Sequence, residues 1–119
     1  MEIRTKRVYE PAAISDGVRV LVDRIWPRGV SKEKAAVRLW AKDAAPSTEL
    51  RQWYRHDAGK WDEFRERYFA ELEAEPAALD DLLPLLSSGT VTLVFSSREE
   101  RRNNATALKE YLETRGRAG

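Results

Sequence analysis

Cysteine is absent from this chain of 119 residues, and histidine occurs only once. Without a thiol the protein has no disulfide, no thiolate-held zinc or iron–sulfur centre and no cysteine nucleophile. Covalent catalysis would have to use an oxygen or a nitrogen atom. A single histidine, with no cluster of carboxylates at ligand spacing, also predicts that there is no dedicated metal site.

Two widespread phosphate-binding motifs are missing as well. Neither GxxxxGK followed by Ser or Thr nor GxGxxG occurs in the sequence, which disfavours P-loop NTP hydrolysis and dinucleotide binding of the Rossmann type. The cofactor, if the protein uses one, is unknown from sequence. The chain also has no apolar stretch as long as a signal peptide or a membrane span, so we expect a cytoplasmic protein that does not enter a membrane.

An excess of charge of one sign is a third absence. The 21 basic and 20 acidic residues leave a net charge of +1, whereas binding to the phosphates of nucleic acid usually needs a strongly basic surface. Nucleic-acid binding is therefore open but not favoured. Because 42% of the residues are hydrophobic, the chain has enough apolar material for one core, and we predict a single domain over residues 1–119.

Three segments have the pattern of β-strands. Residues 3–9 alternate imperfectly and carry several cations, which is typical of an edge strand. Residues 18–23 and 91–95 are rich in β-branched side chains and almost continuously apolar, as expected for buried central strands. Residues 24–36 are predicted to form a long ordered loop, and residues 37–40 fit either a short strand or the end of a helical turn.

Four helices are predicted between and after these strands. Residues 46–55 begin with a helix-start signature, and an apolar stripe predicts a helix that contains residues 61–72. A third helix begins at Pro76 and is kinked or split by Pro84, and a fourth covers residues 99–114. Strands separated by long helical crossovers favour an α/β fold in which a mostly parallel sheet is covered by helices, a three-layer, Rossmann-like arrangement.

Two polar segments directly follow the two central strands. Residues 23–29 come after the first strand and residues 96–103 after the second. In open α/β sheets ligands bind beyond the carboxyl ends of the strands, where loops converge and helix N-termini offer free backbone amides. If the two strands are parallel neighbours, the two segments form one site.

The first segment has side chains suited to ligand binding. Arg24 and Arg28 can each hold a phosphate or a carboxylate through two parallel hydrogen bonds, and Trp26 can stack on a planar group. Asp23 is a candidate acid or base. The alternative is structural: Asp23 pairs with an arginine to stabilise the loop, and Trp26 packs over the end of the sheet.

The second segment offers hydroxyls, a cation and an amide. Ser96 and Ser97 are candidate ligand-binding residues, but a serine nucleophile needs a neighbouring base, and His56 is the only imidazole. A helix cap is the simpler role for Ser97, and the free amides of a cap can bind an anion together with Arg98. Asn103 can hydrogen-bond a base or a sugar hydroxyl, or can be a solvated amide. His56 is itself a tentative general base.

Several motifs occur together in this chain: VDRIWPRG at residues 22–29, PSTELR at 46–51, and the shorter matches KRVYEP at 6–11, DG at 16–17, HD at 56–57 and FR at 64–65. In this combination, which spans nearly the whole chain, the sequence resembles the YeaO-like family of small bacterial proteins, a domain of unknown function. The resemblance implies a compact α/β domain and no established reaction. Such proteins tend to carry Asn-His in the last helix, where this chain has Asn103 and Asn104. If that histidine were an essential acid or base, this chain would lack it, so a binding role for the helix is favoured.

Three functions are consistent with these features. The first is an enzyme for a small anionic or nucleotide-like metabolite, held by arginines, with Asp23 as acid or base. The second is a binding module for a nucleotide or for nucleic acid that performs no chemistry. The third is a docking protein in which an exposed Trp26 loop anchors a partner. We favour a small anionic or nucleotide-like ligand, because the arginines should converge where the fold presents free helix amides. The oligomeric state does not follow from the sequence.

Overall fold

A sheet of four parallel strands forms the centre of the computed structural model, which describes residues 2–55 and 57–115. The strands are β1 (Glu2–Arg7), β2 (Val18–Leu21), β3 (Leu39–Trp40) and β4 (Thr90–Phe95), and their order across the sheet is β1-β4-β2-β3. The predicted α/β fold with a parallel sheet is confirmed, and so is the position of β1 at an edge. Between the two readings left open for residues 37–40, the structure selects the strand.

β4 lies between β1 and β2 and pairs with both in parallel. Val20 is opposite Leu93 and Leu21 is opposite Val94, so β2 and β4 end at the same edge of the sheet. The two polar segments that follow these strands therefore start side by side, as the sequence predicts for parallel neighbours.

The helices lie in the connections. The α-helices are α1 (Lys32–Ala35), α2 (Thr48–Tyr54), α3 (Trp61–Ala74) and α4 (Asn104–Arg115), and the 3-10 helices are Ile14–Asp16, Lys42–Ala44, Ala58–Lys60, Pro76–Leu79 and Leu83–Ser88. The Ser47 hydroxyl accepts a hydrogen bond from the Leu50 N–H (3.1 Å) and caps α2, as its sequence signature predicts.

Two predicted helices differ from the structure. The segment from Pro76 to Ser88 forms two 3-10 helices instead of a split α-helix, because Pro84 has no N–H to donate and its ring crowds the preceding turn. The last helix begins at Asn104 and not near residue 99. Its cap is the Asn103 carboxamide, which accepts a hydrogen bond from the Thr106 N–H (2.9 Å).

The two faces of the sheet are covered unequally. One face carries the main core, where β2 and β4 pack against apolar residues of α3 and α4 such as Tyr68 and Leu108. The other face carries a small core in which Leu21 and Val94 pack under Trp26 and Trp40. The third layer is therefore mainly the loop after β2 with the single turn of α1. No helix in the described part of the chain is long and apolar enough to cross a membrane.

Candidate functional site

A cavity of about 740 Å³ lies at the carboxyl ends of β2 and β4. Its lining includes Asp23, Ser96 and Asn104 near the strand ends and residues 25–28 of the loop after β2, which we call the loop wall. It also includes Thr48, Arg51, Gln52, Tyr54 and Arg55, from α2 and its end. Both polar segments predicted from the sequence contribute to this cavity. Its place in the fold is the one expected for a ligand site in an open parallel sheet.

Asp23 connects three elements in the lining of the cavity. Its Oδ2 accepts a hydrogen bond from the Ser96 N–H (2.8 Å), and its Oδ1 accepts one from the Asn104 Nδ2 (3.0 Å). Asn104 Nδ2 also donates to the Val22 carbonyl (2.7 Å), and the Trp40 indole N–H donates to the Asp23 carbonyl (2.7 Å). Over the described ranges Asp23 forms no ion pair with an arginine. Its carboxylate instead joins the end of β2 to the start of the β4 loop and to α4.

Arg24 does not line the cavity but binds the segment just before α2. Its Nε donates to the Pro46 carbonyl (3.1 Å) and its Nη2 to the Ala45 carbonyl (3.0 Å). Arg98 is exposed, and neither arginine is among the residues that line the cavity. Of the three arginines singled out by the sequence, only Arg28 lines the cavity.

Packing and hydrogen bonds with neighbouring residues hold the loop wall in place. Trp26 is half-buried, meets Trp40 edge to face at 5.4 Å between ring centroids, and donates its indole N–H to the Val30 carbonyl (2.7 Å). The Tyr9 hydroxyl donates to the Arg28 carbonyl (3.0 Å) and ties the loop to the end of β1. The Arg28 side chain is exposed at the cavity. Trp26 therefore has the packing role that the sequence left as one alternative, while the same ring also lines the cavity.

Ser96, Ser97 and Asn103 line the cavity but also have structural partners. The carbonyls of Ser97 and Ser96 accept hydrogen bonds from Arg7 Nε (2.9 Å) and Nη2 (3.4 Å). The Ser97 hydroxyl accepts one from the Glu99 N–H (3.0 Å) in a turn before the helix. Asn103 is buried and donates from Nδ2 to the Glu99 carbonyl (2.8 Å), in addition to its capping bond.

His56, the remaining catalytic candidate, lies outside the described residues.

The residues of α2 were missed by sequence reasoning. Thr48, Arg51 and Gln52 lie three and four positions apart and so share one side of the helix, and Arg55 follows its last residue. The signal in the sequence is a polar helix face with two arginines four positions apart. Such a face is normally solvated, and only the packing of α2 beside the loop after β2 turns it toward a cavity.

The charge of the cavity is mainly positive. Three arginines (Arg28, Arg51 and Arg55) are among its lining residues, and Asp23 is the one acidic residue in the part of the lining that the structure describes. Burial, with a smaller contribution from the charge of Glu99, raises the pKa of Tyr54, whose hydroxyl donates to the Arg102 carbonyl (2.9 Å). Tyr54 is therefore a neutral phenol at physiological pH. No group of three or more His, Cys, Asp or Glu side chains among the described residues is arranged to hold a metal ion.

The fold and the cavity together define the class of the protein. It is an α/β protein in which a cationic cavity lies beyond the carboxyl ends of a parallel sheet. The chain belongs to the family described as "Inactive DUF488-N3 subclade", whose model matches residues 2–118.

Its relatives confirm the YeaO-like resemblance. An uncharacterized protein of Mycobacterium tuberculosis is 46% identical over 113 residues, which cover 95% of each chain. The uncharacterized protein YeaO of Escherichia coli is 40% identical over 112 residues, which cover 94% of this chain and 97% of YeaO. No solved structure matches the chain significantly.

Proposed function

We propose that this protein binds a small anionic ligand in the cavity and does not convert it chemically. The observation that carries the proposal is the placement of Arg28, Arg51 and Arg55, which come from two different elements and line one cavity. A guanidinium group holds a phosphate or a carboxylate through two parallel hydrogen bonds. A volume of about 740 Å³ is typical of small-molecule sites.

Two features favour binding without catalysis. Both carboxylate oxygens of Asp23 accept hydrogen bonds from N–H groups that join β2 to the β4 loop and α4, which gives this candidate acid or base a structural task. Tyr54 keeps its proton at neutral pH, and its hydroxyl donates a hydrogen bond to the Arg102 carbonyl. The description of the family as an inactive subclade agrees with this reading.

The docking hypothesis is not favoured by the geometry of the loop. A tryptophan that anchors a partner inserts its ring into the other protein, whereas Trp26 is half-buried against Trp40 and its N–H is already bonded to Val30. Binding to long nucleic acids is also not favoured, because the net charge is only +1.

A thermal-shift comparison tests the proposal. Inorganic phosphate, ribose 5-phosphate and citrate are added to the wild type, to Arg28→Ala and to Arg38→Ala. Arg38 is exposed and does not line the cavity, so its substitution removes the same charge elsewhere. A ligand at about 100 times its Kd adds roughly 2.7 kcal/mol to the free energy of unfolding, which raises the Tm measurably.

We expect at least one of these anions to raise the Tm of the wild type and of Arg38→Ala, and to raise that of Arg28→Ala much less. Equal shifts in all three proteins would place binding outside the cavity and contradict the proposal. The absence of any shift in the wild type would contradict it as well.

A further inference from the structure

The two walls of the cavity differ in chemistry. On the α2 side, Thr48, Arg51, Gln52 and Arg55 supply polar and cationic groups beside the buried aromatic residues Tyr54 and Phe64. The hydroxyl of Thr48 and the amide of Gln52 can form hydrogen bonds, and the arginines carry positive charge. This wall therefore suits the anionic end of a ligand.

The loop wall presents mostly apolar and aromatic surface, with Arg28 as its one charged residue. Ile25 is 65% exposed and Tyr9 is 46% exposed, although both are large hydrophobic side chains. Only four such residues are exposed in the part of the chain that the structure describes, and two of them line this cavity. The Trp26 ring adds a third apolar surface to the same wall. Exposed hydrophobic side chains clustered at a concave surface mark a place where an apolar group of a ligand packs.

A ligand that fits both walls has a charged end and a planar, weakly polar body. We infer that the ligand is a mononucleotide, with its phosphate among Arg28, Arg51 and Arg55 and its base against Ile25 and Trp26. This inference rests on the proposed function. A phosphate monoester supplies a charge of about −1.5 to −2 at pH 7 for the arginines, and a base supplies a flat surface for the loop wall.

A free mononucleotide fits better than a nucleotide within a longer strand. The cavity has the volume of a small-molecule site. A polynucleotide would run on across the surface and would need further cations along its path, whereas the whole protein has almost no net charge.

The experiment separates the two ends of the ligand. Isothermal titration calorimetry measures the Kd of AMP, GMP, CMP and UMP, of ribose 5-phosphate, which has no base, and of a single-stranded hexanucleotide. The variants are Arg51→Ala for the anionic end and Ile25→Ser for the base. Ile14→Ser and Arg38→Ala are the controls, because Ile14 is fully exposed and neither residue lines the cavity. The Tm of each variant without ligand shows whether it is folded.

At least one mononucleotide should bind roughly tenfold more tightly than ribose 5-phosphate, the difference that one stacked base supplies. Ile25→Ser should remove that advantage and leave the Kd of ribose 5-phosphate unchanged. Arg51→Ala should weaken both ligands, and the two controls should weaken neither.

Three results would overturn the inference. If ribose 5-phosphate binds as tightly as every mononucleotide, the base makes no contribution, although the proposed anion site stands. If the hexanucleotide binds more tightly than any mononucleotide, the ligand is a strand. If none of these compounds binds but citrate raises the Tm, the ligand is not a nucleotide. If no anion binds or raises the Tm, the proposed function is rejected as well.

Discussion

Asp16, outside the cavity, gathers several polar contacts on one carboxylate. It is buried beside β2, and its Oδ2 accepts hydrogen bonds from Arg19 Nη1 (2.7 Å), the Ala13 N–H (3.0 Å) and Lys6 Nζ (3.1 Å). Arg19 is buried as well and donates from Nε to the Ala35 carbonyl (2.8 Å). This cluster joins β1, β2 and α1 on the face of the sheet that has the smaller core.

Asp16→Asn should lower the free energy of unfolding at pH 7 by about 3 kcal/mol, because it leaves the buried Arg19 without its counter-charge. Urea unfolding of the two proteins at pH 7 measures the difference. Burial by itself would raise the pKa of Asp16, but the Ala13 N–H, Arg19 and Lys6 together outweigh it, and the pKa is lowered.

A carboxylate with a lowered pKa contributes stability that is present above its unfolded-state pKa of about 3.9 and is lost as the pH falls through the lower, folded value. The difference in stability between the wild type and Asp16→Asn should therefore narrow as the pH is lowered below about 4. A difference that is the same at pH 3 and pH 7 would show that the charge of Asp16 is not what stabilises the fold.

Alanine substitutions at two glycines with positive φ separate the effect of backbone strain from the effect of a steric clash. Gly17 has φ 65° and Gly29 has φ 76°. A Cβ at Gly17 would lie 2.2 Å from the Thr90 carbonyl oxygen, whereas a Cβ at Gly29 would meet nothing within 4 Å.

Gly29→Ala should lower the free energy of unfolding by about 1–2 kcal/mol, the usual cost of this backbone conformation for residues other than glycine. Gly17→Ala should cost clearly more, because β2 and β4 would have to separate. Equal losses in thermal unfolding would contradict the register of these strands.

At the scale of elements, α1 and α2 end in the same way. Ala36 has φ 50° and Arg55 has φ 45°, and both follow the last residue of their helix in the left-handed conformation. Glycine is the residue that best tolerates this position. Each of these two residues therefore strains the backbone, but only Arg55 lines the cavity.

Arg55→Gly and Ala36→Gly should each raise the free energy of unfolding by about 0.5–1 kcal/mol. Only Arg55→Gly should also weaken anion binding, because it removes a guanidinium from the cavity. Chemical denaturation and the thermal-shift response to phosphate measure the two effects separately. A loss of binding in Ala36→Gly as well would mean that the change in affinity does not come from the lost charge.

The elements also show how far the sequence could predict the molecule. Nearly continuous apolar runs identified β2 and β4, and the cap signature at Ser47 identified α2, because these signals are local. The start of α4 was missed because Ser97 and Asn103 both have the side chain of a cap. The choice between them depends on burial: Asn103 is buried at the helix start, whereas the Ser97 hydroxyl bonds two residues along the chain.

The lining of the cavity was also predictable only in part, because tertiary packing and not a local pattern brings some of its residues there. Residues 23–29 and 96–97 were found because a topological rule places them beyond two neighbouring strands. Arg24 also satisfied that rule, but its guanidinium is bonded to the carbonyls before α2. Arg51 and Arg55 reach the cavity because of how α2 packs, and no local pattern contains that information.

At the scale of the whole molecule, the cavity follows from the connections of the sheet. The chain leaves β2 toward the face with the small core, where Trp26 and Val30 pack, and leaves β4 toward the other face, where α4 packs. Neighbouring parallel strands whose connections leave to opposite faces open a crevice between them. Asp23 and Asn104 are hydrogen-bonded to each other in this crevice, and the arginines of the loop and of α2 also line it.

Binding of an anion between the loop after β2 and α2 can be followed residue by residue. The most direct measurement is a two-dimensional ¹H–¹⁵N NMR titration with ribose 5-phosphate that follows the backbone amides, the arginine Nε–H signals and the four tryptophan indole signals. We expect shifts at the Nε–H signals of Arg28, Arg51 and Arg55, which line the cavity, and no shift at the indole signal of Trp53, which does not. Shifts that spread over exposed arginines such as Arg38, with the signals of Arg28, Arg51 and Arg55 unchanged, would show that the anion does not bind in the cavity.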